Sequence, residues 1–302
     1  GTKILITDPQ AGGHGSLPKL CDNLGIQYAP IPYDYMRMQI DYDGLNQILE
    51  QDSRVSFLFF CQSDIIQPPE LQKINLPPKV GIIYDATQTL GLIAGGALPN
   101  PLEACQNIIM IGGTHKTFPS VTCGYVATNN DNYINRVKQN ISPNFLRNVQ
   151  VNNITSVCLS MLEMLKFGEA YAQKIIWTAN ALGDALSGDG LRVKCTEDGA
   201  FSHTHQLFIE VPKEQVDISY THFRNYGITL NKRKTAYLTG FRLGVQEIAR
   251  YHFDEHIANL AHLLCLVLNS PEKYHEIMNL KATLALCKSD QYVIDDLFME
   301  LE

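Results

Sequence analysis

The sequence lacks any apolar run close to the roughly 20 residues that a helix needs to cross a bilayer. The longest candidate, residues 257–268, is interrupted by His262 and predicts a buried helix instead. We also recognise no signal peptide, so we expect a cytoplasmic protein that does not enter a membrane.

Runs of lysine or arginine are also missing, and acidic residues outnumber basic ones. The formal net charge is −7 and the isoelectric point is near 5.7, which argues against a nucleic-acid-binding surface. Hydrophobic residues make up 45% of the chain and charged residues 18%, as in ordinary soluble globular proteins. The length of 302 residues allows one large or two modest domains.

The eight cysteines form no C-x-x-C pair and show no metal-ligand spacing, and the nine histidines form no cluster with carboxylates. We therefore predict no metal site and interpret the cysteines as buried free thiols in a reducing compartment. A glycine-rich phosphate-binding loop is absent as well.

Short apolar runs alternate with helical patterns along the first half of the chain. Lys3–Thr7, Gln27–Pro32 and Val55–Phe60 predict strands, and a helix is expected through about Leu24 and another through Gln51. This alternation predicts an α/β fold with a largely parallel sheet.

Two of the apolar runs end at ionisable residues. The run 80–84 stops at Asp85, and the run 107–111 is followed by Gly112-Gly113-Thr114-His115-Lys116. Because the carboxyl ends of parallel strands meet at one edge of a sheet, this pattern predicts a site there. Pyridoxal phosphate needs both residue types: a lysine for the Schiff base and a carboxylate for the pyridine nitrogen.

The motifs Asp85-Ala-Thr-Gln88, Gly91-Leu-Ile-Ala94 and Thr114-His-Lys-Thr117 resemble the core of the serine hydroxymethyltransferase family of fold-type I pyridoxal-phosphate enzymes. The resemblance covers nearly the whole chain. It implies a three-layer α/β/α large domain with a mainly parallel sheet in residues 1–165. A linking helix and a smaller α+β domain would follow in residues 166–302, and the protein would be a homodimer.

The resemblance also implies roles for single residues. Lys116 would carry the cofactor, Asp85 would face the pyridine nitrogen, and His14, in a Gly-Gly-His loop, would stack on the ring. Residues near the phenolic oxygen or packed beside the cofactor would be Ser63, Gln88, Thr114 and His115. In the second domain, Arg242 in Phe-Arg-Leu-Gly would grip the substrate carboxylate, with His205 nearby and Ser63 also touching the substrate.

Several positions depart from the family pattern. Gln88 replaces a histidine and resembles aminotransferase-like relatives, and the arginine of the loop after the lysine is missing near Thr122. Residues 149–153 lack paired glycines within a predicted loop over 142–157. Roughly a hundred residues that precede residue 1 in the family are absent, and we expect them to belong to a longer polypeptide.

We therefore predict a pyridoxal-phosphate enzyme of the transferase or aldolase type. It would act at the α-carbon of glycine, serine or threonine-like β-hydroxy amino acids, by hydroxymethyl transfer or transaldolation with an aldehyde. His115-Lys-Thr-Phe-Pro119 is closer to the threonine transaldolase branch. An aminotransferase-like enzyme and an inactive subunit that needs another chain remain open alternatives.

Overall fold

The computed structural model describes residues 2–142, 144–251 and 253–287. These residues divide into two compact units, one within Gly1–Glu169 and the other within Ala170–Glu302. No helix of the described residues is long and apolar enough to cross a membrane.

Unit 1 is built on a six-stranded sheet with the strand order β2-β1-β5-β6-β7-β8. All neighbours in it are parallel except β7 and β8, which run antiparallel. A two-stranded hairpin, β3-β4, stands apart from it. The strands are β1 (Lys3–Ile6), β2 (Gln27–Pro30), β3 (Tyr33–Asp34), β4 (Gln39–Ile40), β5 (Val55–Phe60), β6 (Gly81–Asp85), β7 (Ile108–Gly113) and β8 (Gly124–Ala127).

Among the described residues, six α-helices begin in this unit, and the last continues beyond it. They are α1 (Ser16–Leu24), α2 (Tyr42–Gln51), α3 (Leu90–Ala94), α4 (Pro101–Ala104), α5 (Asp131–Ile141) and α6 (Val151–Gly188). Asp41 begins α2 as its N-cap, since its carboxylate accepts the Gly44 N–H at 3.0 Å.

Two apolar clusters lie on opposite faces of the sheet, because successive side chains of a strand point to opposite sides. One cluster joins Leu5, Leu58 and Phe60 to the α2 residues Leu45 and Leu49. The other joins Ile6 and Cys61 to the α1 residues Leu17 and Cys21. Helices thus cover both faces, which confirms the predicted three-layer α/β fold with a mainly parallel sheet.

Unit 2 contains a three-stranded antiparallel sheet of order β10-β11-β9. Its elements are β9 (Gln206–Glu210), α7 (Val216–Asn225), β10 (Asn231–Lys234), β11 (Thr239–Gly244), α8 (Ile257–Asn269) and α9 (Tyr274–Ala285). Phe241 of β11 meets Phe223 of α7 edge to face, with ring centroids 5.2 Å apart. This unit has the α+β composition that the sequence predicts.

Two expectations from the sequence are wrong. Helix α6 begins at Val151, so residues 151–157 are helical rather than part of a loop. The segment contains no proline or glycine that would stop the helix from extending. The cysteines are all free, but only Cys21 and Cys61 are buried, while Cys158 and Cys195 are exposed. Cys158 is exposed although its neighbours in sequence are apolar, because it lies on the solvent-facing side of the first half of α6.

Candidate active site

Four neighbouring strands of the unit 1 sheet, β1, β5, β6 and β7, end at the same edge. The loop after β1 carries His14, the loop after β5 carries Ser63, and β6 ends at Asp85. Lys116 follows β7 by three residues. The parallel register therefore brings the predicted unit 1 residues to the carboxyl edge of one sheet.

Asp85 is held by donors on both oxygens of its carboxylate. Oδ1 accepts the Thr87 main-chain N–H at 2.9 Å and the Thr87 hydroxyl at 2.5 Å. Oδ2 accepts the thiol of Cys61, with Sγ at 3.1 Å. The orientation of this half-buried carboxylate is thus determined by three donors.

The segment from Thr114 to Cys123 forms a closed loop that contains Lys116. The Thr114 N–H donates to the Cys123 carbonyl oxygen at 3.0 Å, and the Cys123 N–H donates to the Thr114 hydroxyl at 3.1 Å. Thr114 is buried, and its hydroxyl also donates to the Val121 carbonyl oxygen. This role of Thr114, closing the base of the loop, differs from packing against a cofactor, which stays a proposal.

Two threonine hydroxyls join the loop after β7 to the loop after β6. The Thr87 hydroxyl accepts the Gly113 N–H at 2.9 Å. The Thr117 hydroxyl donates to the Gln88 carbonyl oxygen and accepts the Gly91 N–H, both at 3.0 Å. Asp85 and Lys116 are therefore carried by two loops that are bonded to each other on either side of the site.

Lys116 itself is half-buried, and its ammonium makes no hydrogen bond or ion pair with the described residues. The neighbouring His115 is exposed and lies against Gly113, where an added Cβ would stand 2.8 Å from the imidazole ring. Gln88 is half-buried at the start of the segment that leads into α3. Lys116 thus has an amine that is not engaged in the described structure.

The Gly12-Gly13-His14 loop requires glycine at two positions. Gly12 has φ +83°, and a Cβ there would stand 2.6 Å from the Asp64 carbonyl oxygen. A Cβ on Gly13 would stand 2.2 Å from the Thr7 carbonyl oxygen. Only glycine permits this approach of two backbones, which places His14 beside the loop that follows β5.

His14 and Ser63 are linked through this contact. The His14 N–H donates to the Cys61 carbonyl oxygen at 2.8 Å, and the Ser63 N–H donates to the Gly12 carbonyl oxygen at 2.7 Å. The His14 ring is exposed, and its Nδ1 lies 2.6 Å from the Ser16 hydroxyl. The imidazole is therefore oriented by its own loop and open on its outer side.

Tyr125 of β8 is a polar residue near the site that the sequence reading did not single out. Its hydroxyl is buried and has no hydrogen-bond partner among the described residues. Burial raises the pKa of Tyr125, and the negative charge of Asp85 raises it further. The sequence gives no signal for this residue, because Tyr125 lies near the site only through the pairing of β8 with β7, in which Tyr125 is opposite Gly112.

The two predicted substrate-binding residues Arg242 and His205 belong to the three-stranded sheet region of unit 2. Arg242 is half-buried in the middle of β11, where it pairs with Phe208 of β9 and Asn231 of β10. Its neighbours Phe241 and Leu243 are buried on the other face of the sheet. His205 is buried directly before β9.

Comparison with family models found no match. Comparison with curated proteins found serine hydroxymethyltransferases. The enzyme from Sulfolobus acidocaldarius is 32% identical over 271 residues, which cover 84% of this chain and 61% of the relative. The enzyme from Archaeoglobus fulgidus is 28% identical over 296 residues, covering 92% and 66%. The chain thus spans slightly less than two thirds of the length of these relatives.

Among solved structures, the chain resembles an L-threonine transaldolase from Pseudomonas fluorescens in its internal aldimine state. The TM-score is 0.88 at 23% identity, and the match covers 98% of this chain and 70% of the other. This likeness shows the fold, and it confirms the predicted fold-type I architecture.

Proposed function

Because this chain is a homologue of the serine hydroxymethyltransferases, we propose that it is a pyridoxal-phosphate enzyme that cleaves or forms the Cα–Cβ bond of β-hydroxy amino acids. The observation that carries the proposal is the bonded pair of loops that presents Asp85 and Lys116 at one sheet edge. The chain's relatives named serine hydroxymethyltransferase support the same chemistry.

The residues at this edge fit the cofactor in their chemistry. A carboxylate offers about four lone-pair sites, and three of those on Asp85 are used by Thr87 and Cys61. One remains for a protonated ring nitrogen. The cofactor aldehyde requires an amine without a salt-bridge partner, and Lys116 has none among the described residues. The buried Tyr125 hydroxyl is a further polar group that finds no hydrogen-bond partner within the described part of the chain.

In this proposal each residue has one task. Lys116 attaches the cofactor through its Nζ atom, and Asp85 keeps a proton on the ring nitrogen. His14 covers one face of the ring, while Gln88 and Ser63 donate near its phenolic oxygen. Thr114 and His115 pack beside Lys116. The cofactor, when bound, accepts the electron pair of the bond that breaks at the α-carbon.

The substrate would be held by the guanidinium of Arg242, which matches the two oxygens of an amino-acid carboxylate, with His205 and Ser63 contributing to its binding. In the retro-aldol direction the β-hydroxyl loses its proton, the Cα–Cβ bond breaks and the α-carbon gains a proton. The products are glycine and an aldehyde, and no oxidant or reductant is consumed.

We also propose that the protein is a homodimer. Unit 1 exposes a set of large apolar side chains before and along the first half of α6, which isolated subunits rarely present to water. Phe145 is 85% exposed and Leu165 83%, and the set further contains Leu146, Val149, Val151, Ile154 and Met161. Light scattering should give twice the chain mass, and Phe145→Asp with Leu165→Glu should shift it to one chain mass.

The cytoplasm is the compartment we propose, since eight free cysteines suit a reducing environment.

The activity can be tested by adding serine or threonine to the cofactor-loaded protein. The proposal predicts formation of glycine with formaldehyde or acetaldehyde in equal amounts. A second assay adds a keto acid as acceptor of the amino group. If the added amino acid were then converted into its own keto acid while the acceptor became an amino acid, the aminotransferase alternative suggested by Gln88 would replace the proposal. A protein that binds the cofactor but turns over neither kind of substrate would contradict both.

A further inference from the structure

Cys61 lies directly beside Asp85 in the sheet. It follows β5 by one residue, and the parallel register pairs Phe60 with Tyr84, so Cys61 and Asp85 occupy the next rung. The Cys61 thiol donates to Asp85 Oδ2 with Sγ at 3.1 Å. No other thiol of the described residues donates to a carboxylate, and this one falls on the carboxylate of the proposed site.

The main chain of Cys61 is immobilised on both sides. Its N–H donates to the Thr7 hydroxyl at 3.0 Å, and its carbonyl oxygen accepts that same hydroxyl at 3.1 Å. The carbonyl oxygen also accepts the His14 N–H at 2.8 Å. Thr7 is 2% exposed and Cys61 8%. The main chain that carries the sulfur is therefore held by the Thr7 hydroxyl and by the backbone N–H of His14.

The thiol keeps its proton in this environment. Burial raises the pKa of Cys61 far above its ordinary value, and the charge of Asp85 raises it further. A protonated thiol can only serve Asp85 as a donor. Any other donor that bonds to Oδ2 therefore does so beside the Cys61 thiol, as a second hydrogen bond to the same oxygen.

We propose that Cys61 is a positioning residue for the cofactor: its thiol orients the Asp85 carboxylate and leaves one lone pair on Oδ2 for the protonated ring nitrogen. The inference rests on the proposed function. Thr87 holds Oδ1 through two bonds and Cys61 holds Oδ2 through one. Without the thiol, the carboxylate is restrained from one side only.

The chain supplies a matched control for loss of packing. Cys21 of α1 belongs to the same apolar cluster as Cys61 and is 2% exposed. Cys21→Ala removes the same atoms from the same cluster but no donor to Asp85. Cys61→Ser keeps a donor at the position and tests whether the hydrogen bond or the sulfur matters.

The test measures the dissociation constant of pyridoxal phosphate for the full chain and its variants. Cys61→Ala should weaken binding about tenfold, as expected for one hydrogen bond to a charged group. Cys61→Ser should stay within about threefold of wild type and Cys21→Ala within about twofold. In an Asp85→Asn background, Cys61→Ala should cause no further loss. The positioning role would be overturned if Cys61→Ala and Cys21→Ala weakened cofactor binding equally. It would also be overturned if Cys61→Ala still weakened binding about tenfold in the Asp85→Asn background.

A second readout does not depend on the cofactor. The S–H stretching band of Cys61 in cofactor-free protein should shift when Asp85 is replaced by Asn and should vanish in Cys61→Ala. A band that does not respond to Asp85→Asn overturns the inference itself. If the band responds but the protein binds no pyridoxal phosphate, the hydrogen bond between Cys61 and Asp85 exists and the proposed function has failed. The role of Cys61 in cofactor binding is then overturned with it.

Discussion

The hydroxyl of Thr117 donates a hydrogen bond to the carbonyl oxygen of Gln88 over 3.0 Å. Thr117 follows Lys116 directly and is fully buried, while Gln88 follows Asp85 by three residues. The same hydroxyl accepts the Gly91 N–H, and a Cβ on Gly91 would stand 2.2 Å from the Thr117 carbonyl oxygen. The loop that carries Lys116 and the segment that follows Asp85 are thus in direct backbone contact. The Thr117 hydroxyl bonds to one main-chain group just before α3 and to another in the first turn of α3.

Replacing Thr117 with valine keeps the shape but removes this hydroxyl. The Gln88 carbonyl and the Gly91 N–H would each lose their hydrogen bond to this buried hydroxyl, which costs about 1–3 kcal/mol. Urea unfolding of the cofactor-free protein should show this loss as a lower midpoint. Thr117→Ser, which keeps the hydroxyl, should lose clearly less. If the valine variant is as stable as the serine variant, the hydroxyl does not join the two loops.

Replacing Arg242 with lysine should affect the amino-acid substrate and spare the cofactor. Lysine keeps the charge but cannot form two parallel bonds to a carboxylate, so KM for the amino acid should rise about tenfold. The dissociation constant of pyridoxal phosphate should not change. The exposed Arg224 of α7 offers a control, since Arg224→Lys should leave both constants as they are. Weaker cofactor binding in Arg242→Lys would argue for a structural role instead.

Asp217 of α7 holds β10, the strand that pairs with the Arg242 strand. Its carboxylate accepts the ammonium groups of Lys232 at 2.7 Å and Lys234 at 2.6 Å, and these bonds lower the pKa of Asp217 to about 2. Because the folded-state pKa lies below the unfolded value of about 4, the stabilisation is complete above that value. It is lost as the pH falls through about 2.

The melting temperature tests this dependence. Near neutral pH the melting temperature of wild type should exceed that of Asp217→Asn by about 2 °C or less. The difference is small because both ion pairs are exposed to solvent. The margin should close as the pH falls from 4 towards 2. The exposed Glu214→Gln serves as the control. A margin that persists at pH 2 would show that the ion pairs are not its source.

The sequence was sufficient to predict the strands that carry the main residues. Apolar runs that end at Asp85 and before Lys116 correspond to β6 and β7, because buried parallel strands are short, apolar and bounded by polar loops. The α+β unit was expected from the family resemblance rather than from such a pattern, and the antiparallel direction of β8 is known only from the structure.

The bonds that orient the site could not be predicted in the same way. Cys61 and Asp85 are 24 residues apart, and Thr117 and Gln88 are 29 apart. Whether such distant groups meet depends on how neighbouring strands pair and on the path of the loops that follow them, and the local sequence around each residue does not determine either. Thr87 is the exception, since a threonine two residues after an aspartate often bonds to it locally.

The start of α6 and the exposure of Cys158 were mispredicted for related reasons. The helix extends to Val151 because residues 151–157 contain nothing that breaks it. Cys158 lies on a helix whose outward side carries apolar residues as well. Apolar composition indicates burial only where another element covers the surface, and the sequence does not say which surfaces are covered.

The central claim is that Lys116 attaches pyridoxal phosphate, and it can be measured directly. The protein is loaded with the cofactor, reduced with borohydride, digested and mapped by mass spectrometry. The account predicts the added mass on the peptide that contains Lys116, its absence in Lys116→Ala and its persistence in Lys138→Ala, which alters an exposed lysine of α5. Label on another lysine, or label that persists in Lys116→Ala, would contradict it.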